Sequence, residues 1–203
     1  MGRFRVKKQD TFIDMTPMSD VMVLLLTFFM LTATFTKEEP VKVNVPGSVS
    51  EIKIPENNLL TIFVSPEGKI FMTMDSPVGQ EKMAQELIDN NKLSLTAQQL
   101  KEFAQVPTFG TPLNTIGSWV DMEPAKRNEL LTKDSGAGIP CDSLNDELKE
   151  WVIAARNANG ENMGIAIKAD KNTPYSSIKE VMNSLRSIDE SRYNLITTLK
   201  AGE

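Results

Sequence analysis

The chain has 203 residues, with 22 Lys and Arg against 27 Asp and Glu, a formal net charge of −5, no histidine and a single cysteine. The missing histidine removes the usual general base, the Ser–His and Cys–His nucleophile pairs and the commonest metal ligand, and Cys141 alone makes neither an intrachain disulfide nor a structural metal cluster. The acidic balance carries no basic stripe and argues against nucleic acid as a partner; without a G-x-S-x-G, phosphate-loop or dinucleotide motif, the sequence argues against an enzyme of the familiar kinds and calls for no cofactor.

Residues 1–14 form a basic tail in which Arg3, Arg5, Lys7 and Lys8 outweigh Asp10 and Asp14. Residues 15–36 follow as an apolar run rich in Met, Leu, Phe and Thr, with Asp20 its one charged residue. As a helix rising 1.5 Å per residue, this run is long enough for the roughly 30 Å hydrocarbon core of a bilayer. The basic flank places the N-terminus in the cytoplasm and exports the rest. A cleaved signal peptide competes, but its apolar core is shorter, and Thr32-Ala33-Thr34 is a poor cleavage site. Thr16-Pro17 reads as the helix start. Asp20 then has two readings: a wetted early-turn acid favoured by the helix dipole, or an ionisable group inside the membrane, which is a functional-site hypothesis by default. Asp20, Thr27 and Thr34 recur every seven residues and make one polar stripe, which points that face at protein or water. Alternatively, the threonines bond back to their own helix.

Residues 37–58 are expected to be an extended juxtamembrane strand and linker. Val41, Val43 and Val45 alternate with polar residues and predict a strand that Pro46-Gly47-Ser48 ends. It serves either as an edge of the following domain or as a segment that pairs with a partner or a second copy. Residues 59–203 are expected to form a small mixed α/β domain. Within it, 59–64 and 69–72 flank a Ser65-Pro66-Glu67-Gly68 turn and predict a hairpin. Asp75 to Val78 leads out of it, and helical spacing predicts helices over Gln80 to Asn90 and Thr96 to Val106. Residues 107–143 hold many breakers and read as an excursion with short helices such as Glu123 to Lys133; Trp119 and Phe109 are expected to pin it to the domain rather than to meet a partner. Leu144 to Ala158 reads as a helix capped by Asp142 and Ser143 and stopped at Asn159-Gly160. Met163 to Ala169 predicts a buried strand, Thr173-Pro174 starts a helix, and Tyr193 to Leu199 supplies a last strand, which permits a crossover. Asp170 is expected to form a cap or turn, and Tyr175 to lie in the core. The fold class is thus α+β: one N-terminal transmembrane helix, then a small mixed domain interrupted at about 92–145.

Ile13, Met15-Thr16-Pro17, Asp20-Val21-Met22, Leu24, Leu25, Phe29 and Met30, together with Val41 to Pro46, resemble the membrane segment and following stretch of the ExbD/TolR biopolymer-transport family. Lys168-Ala169-Asp170-Lys171, with Tyr175, Val181 and Met182, resembles its C-terminal signature. Two features depart from the pattern: residues from about 92 to 145 resemble an insertion, and Ser19 stands where the family usually has an apolar residue. The resemblance implies a homodimeric, inner-membrane subunit that sits within a multi-span ring of the ExbB/TolQ kind and drives a TonB- or TolA-like transducer with the proton gradient. Asp20 aligns with the family's proton carrier, and Thr27 and Thr34 would lie along the route. A carboxyl desolvated by a ring of helices is suited to that task, because desolvation favours its protonated form. The ExbD-like role is preferred, with a TolR-like envelope-integrity subunit or a passively anchored periplasmic or cell-wall binding module as alternatives.

Overall fold

A computed structural model describes residues 16–32, 43–48, 58–133, 137–142, 145–196 and 198–199. The chain divides into two units, Met1–Lys37 and Glu38–Glu203. The described residues of the first form one helix, α1 (Thr16–Thr32), of 17 residues. At 1.5 Å per residue it is about 25 Å long. Among the described residues no helix is long and apolar enough to cross a membrane; Met15 and residues 33–36 of the expected span lie outside them.

The second unit is built on a four-stranded sheet. Strands β2 (Leu59–Val64) and β3 (Ile70–Met74) form the expected hairpin, with Val64 opposite Ile70. The turn closes because Gly68 adopts φ +81°, which glycine reaches without strain. Parallel to β2 runs β6 (Gly164–Ala169), with Ile62 opposite Ile167, and beyond it β7 (Tyr193–Leu195). The sheet order is β3-β2-β6-β7. As is usual for parallel strands covered by helices, the central strands are apolar along their length: Leu60, Ile62, Val64, Ile165, Ala166 and Ile167 are fully buried.

The helices follow from their caps and apolar faces. Helix α2 (Pro77–Asp89) begins three residues before the expected Gln80, because Ser76 accepts the Gly79 N–H and Pro77 takes the first helical position. Helix α3 (Ala97–Gln105) opens with a capping box in which Thr96 and Gln99 satisfy each other's backbone N–H. After α4 (Ile116–Val120) and α5 (Pro124–Lys133), the short strands β4 (Cys141–Asp142) and β5 (Asn145–Asp146) pair antiparallel. Helix α6 (Glu147–Asn159) then starts later than expected: Asp146, rather than Asp142 or Ser143, is its cap, accepting the Lys149 N–H at 3.2 Å. Ser143 and Leu144 lie outside the described residues. Gly160, at φ +80°, stops α6. Helix α7 (Tyr175–Ser187) links β6 to β7 as a crossover between parallel strands, burying Val181 and Leu185.

Residues 107–133 and 137–139 are more tightly packed than a breaker-rich excursion implies. Phe109 exchanges backbone hydrogen bonds with Met72 at 2.8 and 3.0 Å, and the Ile139 N–H donates to the Ile70 carbonyl at 2.8 Å. The excursion therefore covers the outer edge of β3, which would otherwise expose unpaired backbone groups. Gly110 is required there, since a Cβ would overlap the Phe71 ring. Phe103, Phe109 and Trp151 meet with ring centroids 4.8 to 5.8 Å apart and join α3, the excursion and α6 in one core. Trp119 is buried too, so both aromatics pin the segment as expected.

The expected last strand is two strands. After β7, the Ile196 N–H still donates to Ile167, but β8 (Thr198–Leu199) pairs elsewhere, parallel to β1 (Gly47–Ser48). Tyr175 is 70% exposed and no part of the core; it starts α7, whose buried face is carried by Val181, Ser184 and Leu185.

Candidate functional site

Helix α1 carries apolar residues on every face, and all its side chains from Pro17 to Thr32 are exposed. Such a helix is stable only when something else covers it. Asp20 is its single charged residue and the fifth of its 17, one turn in from the start. Thr27 turns its hydroxyl back onto the helix, donating to the carbonyls of Val23 at 3.0 Å and Leu24 at 2.9 Å; Thr32 does the same to Phe28 at 2.8 Å. This is the back-bonded state in which a threonine satisfies its own proton and keeps oxygen lone pairs free to accept. Thr34 lies outside the described residues, so the described polar stripe consists of Asp20 and Thr27. Phe28 and Phe29 meet edge to face at 5.9 Å.

In the second unit, the segment expected to pair as a strand behaves differently. Val41 lies outside the described residues, and Val43 to Pro46 have no strand assignment; β1 begins only at Gly47. The reason is a competing set of partners. The Asn44 N–H donates to Asp170 Oδ2 at 2.7 Å, and the Asn44 carbonyl accepts from the Lys171 N–H at 2.9 Å. Val43, half-buried, packs against the core, and Val45 is also half-buried. Asp170 is itself buried at the end of β6, and its Oδ1 accepts the Asn172 N–H at 2.9 Å, the two-residue reach of an Asx turn. The turn expected at Asp170 is thus present, but its grip on Asn44, 126 residues away, has no signal in the sequence.

These observations define a class: a chain with one all-round apolar helix bearing a single carboxylate, and a small α/β unit on a four-stranded sheet whose first segment is fastened to the end of β6. The profile described as "Biopolymer transport protein ExbD/TolR" matches residues 7–108, about half of the chain, and the chain belongs to that family. Over 52 residues it is 39% identical to the biopolymer transport protein exbD2 of Vibrio cholerae, covering 26% of this chain and 39% of that protein. Over 97 residues it is 31% identical to the Tol-Pal system protein TolR of Pseudomonas aeruginosa, covering 46% of this chain and 66% of that one. The chain therefore spans less than two thirds of the length of either relative. No solved structure matches it. The family match takes in α1, β1, the hairpin, α2 and α3, and ends at residue 108, at the start of the excursion and before α6 and the Lys168–Lys171 stretch.

Proposed function

We propose that this chain is the proton-coupled subunit of an inner-membrane energy-transducing complex of the ExbB–ExbD–TonB type, and that it energises transport across the outer membrane. The observation that carries this reading is the coincidence of one carboxylate with a helix that is apolar on all sides and whose side chains from Pro17 to Thr32 are exposed. In this reading the uncharged run continues past Thr32 through Ala33-Thr34-Phe35-Thr36, and the completed segment spans the bilayer with the N-terminus in the cytoplasm and the second unit in the periplasm. An acid costs about 2.5 to 3.5 kcal/mol at the centre of a bilayer and less toward its edge, where Asp20 lies one turn into the helix. A wall of helices from an ExbB/TolQ-like ring, around a dimer of this chain, lowers that cost and lets Asp20 exchange its proton between two sides. Thr27 supplies an acceptor oxygen one stripe position along, and Thr34 continues the stripe. Each charge moved is worth about 2.3 kcal/mol per 100 mV, which drives a TonB- or TolA-like partner. That partner meets the second unit in the periplasm.

A TolR-like role in envelope integrity is the second reading, favoured by the longer stretch shared with the Pseudomonas relative. Affinity purification separates the two, by whether a TonB-like or a TolA-like protein comes down with the chain. The decisive test of the motor itself is Asp20→Asn. Proton-gradient-dependent uptake is expected to fall to the level of a deletion strain while the variant still assembles with its ring. Uptake at the normal rate would make α1 a passive anchor for a periplasmic or cell-wall binding module.

A further inference from the structure

The motor reading gives no task to the segment between α2 and α6, yet this segment forms a cleft of about 520 Å³ between α3, α4 and α5. That volume suits a small ligand. One side is apolar, made by Val106, Pro107, Trp119 and Pro124; Glu102 and Arg127 bring opposite charges to it. The two charges are not paired with each other in the structure. Arg127 is instead held by its own helix entry, its Nε–H donating to the Met122 carbonyl at 2.7 Å. Its two terminal nitrogens make no hydrogen bond among the described residues. A guanidinium pinned through Nε, with its outer edge open, is preorganised for the two parallel hydrogen bonds of a carboxylate.

We infer that this cleft binds the C-terminal end of a peptide whose last residue is apolar. The free carboxylate sits on the open edge of Arg127, and the terminal side chain lies against Trp119, Pro107 and Pro124. Glu102 accepts an amide or ammonium N–H of the same ligand and repels a second negative charge, which selects a monocarboxylate. The site lies outside α1 and is independent of the motor reading.

Calorimetric titration of the full chain in nanodiscs with leucyl-leucine and with leucyl-leucinamide tests this. The acid is expected to bind at least about tenfold more tightly than the amide, since the charge-assisted pair is lost in the latter. Arg127→Gln should erase that preference, and Arg127→Lys, which keeps the charge but not the fork, should leave part of it. Thermal unfolding of each variant checks that the fold survives. Equal binding of acid and amide, no heat from the acid up to about 10 mM, or an unchanged preference in a folded Arg127→Gln protein would overturn the proposal.

Discussion

Burial governs the chemistry of Cys141. Desolvation pushes its thiol pKa up to about 12 from an ordinary value of 9.0; the negative charge of Asp146 adds to the shift, and a hydrogen bond with Ser184 opposes it. Only the thiolate is a nucleophile. Native protein is therefore expected to react with iodoacetamide at pH 8 about a hundredfold or more slowly than urea-unfolded protein, measured by mass spectrometry. The same shift acts on stability. Because the folded pKa lies above the unfolded one, the thiol's contribution is complete below pH 9 and is lost as the pH rises toward 12. A Cys141→Ala variant should lose less stability than the parent between pH 8 and 10.5. At this scale the sequence was informative where chemistry is local. Asp170, next to a turn and ahead of Thr173-Pro174, is legible as a turn residue. Tyr175 is not legible as exposed, because an aromatic one position into a helix has no periodic partner to say which face it takes.

Among the elements, those with a cap or a turn written into a few adjacent residues are the legible ones. The Ser65–Gly68 turn, the helix start at Thr96 and the stop at Gly160 all depend on contacts within four residues, and all stand where the sequence places them; the capping box at that start emerges only in the structure. Val43-Asn44-Val45 has equally good alternation but no strand, because its backbone groups are taken by Asp170 and Lys171, far along the chain. Asp170→Ala removes a buried acceptor from two backbone N–H groups and is expected to cost about 1 to 3 kcal/mol in urea unfolding. Amide exchange at Asn44 should speed up in that variant more than exchange in β2. The start of α6 moves to Asp146 for a related reason: the residues before it are committed to the β4–β5 pairing.

The whole second unit depends on contacts that no window of sequence contains. A segment with eight Pro and Gly between 107 and 143 reads as loop, yet it borders β3 and shares the core with α6 through Phe109, which is fully buried against Phe103 and Trp151. Breaker counts describe local backbone, whereas burial here comes from Phe109, Trp119 and the apolar residues around them together with two short pairings. Phe109→Ala is expected to cost about 3 to 5 kcal/mol, the range for emptying a large aromatic site. Loss should appear in a single cooperative transition, because the site joins helix, excursion and sheet; a separate early transition confined to 107–143 would contradict that coupling. The pairing of β1 with β8 brings the first and last strands of the unit side by side, running in the same direction. Tension entering through Val43 thus pulls along those strands and across the Asn44–Asp170 bond. The start of the described unit is thus held by residues more than 100 positions along the chain, so loss of either Asp170 or β8 would free it from the sheet.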